Sequence, residues 1–330
     1  MTGIDLFDYS LPEELIAQRP AEERDASRLL VVDRKTGKTE HRRFSDLPEY
    51  LQAGDVLVLN DSRVIKARLY GEKEGTGARI ELLLTRQLDG KLWEALARPA
   101  KRLRENDRIV FGDGFAVVVA GKGEDGFVRV RFDCEDFNGG LDRYGHTPLP
   151  PYIKRDDEEG DEERYQTVYA REPGSAAAPT AGLHFTDDLL KKLRGKGVEI
   201  VFVTLHVGLG TFRPVQTDNI EDHKMHEEFY HISDETREKI DRAERVICVG
   251  TTSVRAIESD GDGSTDIFFY PGGRQFKKTD ALITNFHLPK STLLMLVSAF
   301  YDREKVLEVY EEAIKERYRF YSYGDAMLVL

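Results

Sequence analysis

Between residues 67 and 143, four short runs (78–84, 92–97, 115–120 and 127–132) alternate apolar with polar residues. They are separated by turn signals such as DG at 113–114 and GKGEDG at 121–126. Period-two alternation gathers the apolar residues of each run on one face of a strand, whereas in a helix the same residues would be scattered round all sides. Short strands with Gly-rich turns predict an antiparallel meander or small closed barrel, and no helical period of useful length interrupts them.

The flanks have a different texture. Before residue 67 the sequence predicts a helix over 12–18 and strands over 28–33 and 55–60. After residue 153, apolar strands at 198–206, 245–250 and 280–285 alternate with helices at 187–194, 234–243, 253–258, 291–300 and 303–317. Strands rich in Val, Ile and Leu that alternate with helices imply a mainly parallel sheet covered on both faces. The expected fold is therefore α/β, a mainly parallel sheet with flanking helices, plus an inserted small antiparallel β-barrel domain. The barrel domain would span 67–150, inside a discontinuous α/β domain of 1–66 and 151–330. The Pro-rich segment GHTPLPPYI at 145–153 reads as an extended linker, and the acidic run at 156–163 as a solvated loop.

With 40% hydrophobic residues over 330 positions, the chain has material for a real core. A net charge of −12 argues against a general nucleic-acid coat or a binder of anionic membranes, although a local basic face can work on an acidic protein. Cys134 and Cys248 form no C-x-x-C pair, the N-terminus lacks a signal-peptide pattern, and the longest apolar run, 293–300, cannot span a bilayer. A soluble, cytoplasmic monomer is expected.

Open α/β sheets bind ligands at the carboxyl ends of their strands, and three such ends are loaded with polar groups. They are TLHVGLGTFR at 204–213, GTTSVR at 250–255 and NFHLPKST at 285–292, which supply His206, Arg213, Thr251, Thr252, Arg255, Asn285, His287, Lys290 and Ser291. Asn60 and Arg63 follow another strand. GTTS before a helix can hold an anion through free N–H groups, the helix dipole and hydroxyls, or it can merely cap the helix. The second helix start repeats the pattern, and Lys290 there either meets an anion or is solvated. GLG at 208–210 lacks the third glycine of a dinucleotide site, and Pro214 falls where its helix should run, so no Rossmann site is expected. His223 and His226, three apart, could share a helical face but lack metal-site spacing; no metal is expected. Glu227 and Glu228 beside them are either proton acceptors or a solvated helix start. SAAAPTAGLHFT at 175–186, with Thr180 and His184, is small and Gly/Pro-punctuated, which would let a planar ligand approach the backbone. Arg98, Lys101, Arg102 and Arg104, with Arg108 near by, form a basic cluster on the predicted barrel. It is either a phosphate-contacting surface or an ordinary charged hairpin.

Taken together these segments resemble the S-adenosylmethionine:tRNA ribosyltransferase-isomerase family of queuosine biosynthesis. The likeness runs nearly end to end, through FDYSLPEELIAQRP at 7–20, RDASR at 24–28, LVLNDSRV at 57–64, YQTVY at 165–169 and APTAGLHFT at 178–186. It continues through LHVGLGTFRP at 205–214, MHEEFY at 225–230 and RFYSYGDAM at 319–327. The resemblance implies an α/β domain with an inserted barrel. It also implies two substrates: S-adenosylmethionine, and tRNA carrying 7-aminomethyl-7-deazaguanine at the wobble position. The products would be epoxyqueuosine-tRNA, adenine and methionine, with no cofactor besides the consumed donor. The stretch between Glu258 and Phe268 looks shorter than is usual in the family, and GGR at 272–274 is atypical.

For that chemistry the candidate proton-transfer residues are His184, His206, His287, Glu227 and Glu228. Candidates for binding the donor or a tRNA phosphate are Asn60, Arg63, Thr180, Arg213, Thr251, Thr252, Arg255, Asn285, Lys290 and Ser291. Arg98, Lys101, Arg102 and Arg104 are candidates for tRNA. Replacing Arg255 with Ala is expected to weaken binding and leave the fold intact. A methyltransferase sharing the donor would need a glycine-rich loop after its first strand, which the sequence lacks. A non-catalytic tRNA-binding protein would leave the polar strand ends unexplained.

Overall fold

The structure, a computed structural model, describes residues 2–208, 215, 217–261 and 263–330. Its centre is a nine-stranded sheet. In spatial order the strands are Gly263–Thr265, Glu228–His231, Glu199–Leu205, Asp55–Asn60, Arg245–Val249, Ala281–Asn285, Ala326–Val329, Arg28–Val32 and Thr39–Arg43. The four from Glu199–Leu205 to Ala281–Asn285 run parallel, as do Ala326–Val329 and Arg28–Val32; the remaining neighbours are antiparallel.

The central strands are apolar throughout because both faces are covered. Val56 and Val58 join the core on one face, while Leu57 and Leu59 join the core on the other. Val246 and Cys248 part from Ile247 and Val249 in the same way, as the period of two requires. The first face is sealed by helices Gly250–Glu258, Thr292–Phe300 and Arg303–Lys315, which bury Val254, Leu294, Val297, Val309 and Tyr310. The second is sealed by helix Asp187–Gly195 and the 3₁₀ turns Phe44–Glu49 and Thr180–His184.

The alternating stretch closes into a barrel. Arg68–Lys73, Ala78–Asp89, Leu92–Arg98, Phe127–Asp133, Phe115–Lys122 and Arg108–Gly112 pair in that order, and Lys73 opposite Ile109 completes the ring. Leu82, Trp93, Val117, Val130 and Phe132 fill a core of their own. Glu227, at the edge of the large sheet, meets barrel residue Arg86 at 3.1 Å.

Some expectations are corrected. Only Glu13–Leu15 within 12–18 is helical, as one 3₁₀ turn, because Ile16 and Ala17 pair with Phe320 instead of continuing it. Helix Phe137–Tyr144 lies within the stretch read as all-strand. Its Gly139–Gly140 pair weakens the helical signal, while the Asp136 cap and Phe137 stacked on Trp93 hold it. The acidic run is not wholly solvated, since Asp161 is buried against Arg155 and accepts from Tyr323 Oη at 3.1 Å. The short strands Glu228–His231 and Ala326–Val329 were not anticipated.

Candidate functional site

Parallel strands end on one edge of the sheet, and the chain reverses around Asn60, Leu205, Val249 and Asn285 there. The antiparallel Ala326–Val329 and the strand parallel to it, Arg28–Val32, begin on the same edge, opposite Asn285. Five sequence-distant segments therefore meet: 180–184, 250–255, 285–292 and the neighbourhoods of Ser27 and of Tyr321.

At their meeting point His184 is buried, with its ring stacked on Phe44 at 4.9 Å. Asn285 Nδ2 donates to the Tyr321 carbonyl at 3.0 Å and to His184 Nε2 at 3.2 Å. His184 Nδ1 therefore carries the proton and donates to Ser27 Oγ at 2.7 Å. Burial, with Arg319 and Arg24 adding repulsion, pushes the ring's pKa down to about 3. His184 is neutral at pH 7 with both nitrogens engaged. Asn285 Oδ1 is buried and has no hydrogen-bond partner among the described residues.

Helix Gly250–Glu258 starts beside this group, and Gly250 has φ 83°, a backbone state that favours glycine. Thr251 and Thr252 are buried, but among the described residues no side chain caps the helix and Thr252 Oγ1 has no partner. The capping alternative thus fails here and holds at the second helix start. There Ser291 caps Thr292–Phe300, accepting from Leu294 N at 3.2 Å. Lys290 is engaged by Asp5 at 2.7 Å and Asp8 at 3.1 Å. His287 is buried with Nε2 2.7 Å from Thr284 Oγ1, and burial lowers its pKa to about 3.

One turn along the first helix, Arg255 is 2% exposed and ion-paired to buried Glu228, whose other oxygen accepts from Gly208 N at 2.9 Å. Arg255 Nη2 is left without a partner. A buried pair of this kind corrects the expectation that Arg255 is dispensable for the fold. It also shows that Glu228 lies on a strand and not at a solvated helix start. His223 follows a 3₁₀ turn, so His223 and His226 share no helical face. Among the described residues no cluster could hold a metal ion.

His206 lines a cleft of about 710 Å³ with Asp61, Arg171, Phe202 and Phe229. Its ring stacks on Phe229 at 5.7 Å, and its buried Nδ1 has no partner. Burial lowers its pKa, opposed by Asp61 and Glu172. Glu227 is exposed; a 2.6 Å hydrogen bond from Ser264 Oγ, with Arg86 near by, holds its carboxyl below the usual range. Asn60 bridges Leu205 N and O and Ser62 N, which holds the strand end just before His206. Arg63 is exposed, and Thr180 opens the turn after Pro179. Arg213 lies outside the described residues. Arg98, Lys101, Arg102 and Arg104 are all exposed on one barrel loop.

The sequence did not single out Ser27, Asp61 or Tyr321. Ser27 acts through His184, 157 residues away, Asp61 through Thr204 and Arg171, 143 and 110 residues away, and Tyr321 through Asn285, 36 residues away, and no local pattern reports such pairings. Ser27 and Tyr321 lie within RDASR and RFYSYGDAM, which was the available signal.

A family model described as queuosine biosynthesis protein matches residues 4–329. The chain is also similar to the solved structure of an S-adenosylmethionine tRNA ribosyltransferase from Thermotoga maritima. Identity is 41% over 98% of this chain and 100% of that one, with a TM-score of 0.56.

Proposed function

The chain belongs to the queuosine biosynthesis protein family, and from that premise we propose that it is an S-adenosylmethionine:tRNA ribosyltransferase-isomerase. In this reading it moves the ribosyl group of S-adenosylmethionine onto 7-aminomethyl-7-deazaguanine at the tRNA wobble position and isomerises it. The products are epoxyqueuosine-tRNA, adenine and methionine. The donor is consumed and no other cofactor takes part. We read the protein as a cytoplasmic monomer, with the barrel domain 67–150 inserted in an α/β domain of 1–66 and 151–330. No helix among the described residues is long and apolar enough to cross a membrane.

The observation that carries the reading is the pair of buried, unpartnered polar atoms, Thr252 Oγ1 and Asn285 Oδ1, at neighbouring strand ends. A buried polar group without a partner costs about 1–3 kcal/mol, so a ligand that supplies partners binds with that much in its favour. Thr251, Thr252 and the first N–H groups of the helix suit the methionine carboxylate. Asn285 Oδ1 accepts an N–H, and adenine offers one on its exocyclic amine.

The sulfonium acidifies the C5′ hydrogens, so a base that takes one of them starts the reaction, and adenine leaves carrying a proton. His206, with a ring nitrogen unengaged among the described residues, is a better base here than His184 or His287, whose Nε2 atoms are already held, or Glu227, whose two oxygens accept from Ser264 and Arg86. A placed proton-transfer group contributes about 10²–10⁴-fold, and holding donor and tRNA together contributes as much or more.

The test mixes the protein with precursor-bearing tRNA and S-adenosylmethionine labelled separately in ribose and in methyl. Ribose label in tRNA with free adenine and methionine supports the proposal. Methyl label in tRNA makes the protein a methyltransferase, and RNA binding without transfer makes it a binding module.

A further inference from the structure

On the outer wall of the barrel, three side chains stand in one cross-strand row. Tyr70 lies opposite Glu81, and Glu81 opposite Arg98. Tyr70 is 50% exposed, unusual for a large aromatic side chain on a strand, and it borders a groove of about 690 Å³ shared with Arg79, Arg98 and Phe111. His146 meets the Tyr70 ring edge-on at 5.2 Å, which steadies it and leaves a face open. Glu81 is taken by Arg68 at 3.2 Å, whereas Arg79 and Arg98 are exposed and carry no ion pair among the described residues.

The charge around the groove is also local. Over 67–150 the barrel domain holds fourteen Lys and Arg against fourteen Asp and Glu, while the whole chain holds 48 against 60. Lys101, Arg102 and Arg104 continue from Arg98 along one exposed loop. That loop runs beside Gly126, and the next residue, Phe127, reaches His226 with ring centroids 6.1 Å apart. The groove's basic border thus leads toward the sheet edge that holds Glu227 and Glu228.

An exposed ring with two unpaired guanidiniums beside it is the combination that single-stranded nucleic acid requires. Bases stack on aromatic faces whatever their identity, and cations follow the backbone. An acidic peptide would use the guanidiniums and leave the ring idle. We propose that this groove is a single-stranded RNA subsite, with one nucleobase lying on Tyr70 and the flanking phosphates against Arg79 and Arg98. It deepens the tRNA reading above and rests on it only for the identity of the RNA.

The test measures binding of a labelled ten-nucleotide single-stranded RNA, and of precursor-bearing tRNA, to the full-length protein. Wild type is compared with Tyr70→Ala, Tyr70→Phe and Arg98→Ala, each confirmed folded by circular dichroism. The expected result is at least about a five-fold loss for Tyr70→Ala with both RNAs, restored by Tyr70→Phe. Arg98→Ala should weaken binding and lower the slope of log affinity against log salt by about 0.7. Equal affinity of wild type and Tyr70→Ala for both RNAs overturns the subsite, as does a loss that Tyr70→Phe fails to restore. The ribose-label assay separates this from the enzymatic reading. Transfer by wild type with an unaffected Tyr70→Ala KM for tRNA removes the groove and keeps the enzyme. Tyr70-dependent RNA binding without any transfer keeps the groove and removes the enzyme.

Discussion

Asn285 and His184, 101 residues apart, are joined by an amide whose two hydrogens are both spent, one on His184 Nε2 at 3.2 Å and one on the Tyr321 carbonyl at 3.0 Å. Those two bonds fix which end of the carboxamide points where, and so leave its oxygen to a ligand. Asn285→Ala should therefore have two separable effects. Leaving His184 Nε2 buried without a donor should cost about 1–3 kcal/mol in urea unfolding, while the Tyr321 carbonyl keeps the N–H of Gly324 at 2.9 Å. Loss of Oδ1 should also raise KM for S-adenosylmethionine. A stability loss with unchanged KM would restrict Asn285 to orienting the histidine.

The same histidine makes stability pH-dependent. His184 and His287 have pKa values near 3 in the fold, against 6.5 for an ordinary histidine. The unfolded chain thus binds more protons throughout the interval between those values. Stability is complete above about pH 6.5 and falls as pH drops toward 3, by up to about 1.4 kcal/mol per pH unit for each ring. Urea unfolding at pH 7.5, 6.0 and 5.0 reads this before ordinary carboxylates titrate. The slope should be shallower in His184→Gln, and a flat profile for wild type would mean that neither ring is buried neutral.

Arg255 and Glu228 make the opposite case, two charges buried together. Arg255→Ala strands the carboxylate and should cost about 3–5 kcal/mol, whereas Arg255→Met with Glu228→Gln should recover much of that. Thermal or urea unfolding of the three proteins decides it. A single variant as stable as wild type would show that the carboxylate finds another partner, or water, once the arginine is gone.

The sequence was most legible where periodicity was long. The barrel's alternating runs and the apolar strands 55–60, 245–249 and 281–285 follow from which faces are buried, and the helices from 187 onward were placed within a few residues. It was least legible where one tertiary bond decided the outcome. Ile16 takes up a bridge to Phe320 and ends a helix that 12–18 would otherwise favour. Glu228 looks like half of a solvated acidic pair until Arg255 is brought against it. Site residues were found as strings but not ranked. Asn60, Lys290 and Ser291 look as available as Thr252, and only their hydrogen bonds and ion pairs show that each is already engaged within the fold.

Such bonds separate two helix starts that read alike. Ser291 Oγ accepts from Leu294 N and donates to the Leu288 carbonyl at 2.7 Å, so Ser291→Ala should lower stability by about 1 kcal/mol, as loss of an N-cap does. Thr252 Oγ1 makes no hydrogen bond among the described residues. Thr252→Val keeps the shape and removes only the orphaned hydroxyl, so stability should hold or rise slightly, while KM for S-adenosylmethionine rises by several-fold. Thermal unfolding alongside donor titration distinguishes the roles. If Thr252→Val lost stability as Ser291→Ala does and bound the donor normally, the hydroxyl would be a cap in solution and the anion site would lie elsewhere on the edge. If stability held and donor affinity fell, the start of helix Gly250–Glu258 would be assigned to the ligand by its uncapped N–H groups beside an unused hydroxyl, whereas at the second start, which also holds a buried Thr292 Oγ1 without a partner among the described residues, Ser291 already caps the helix.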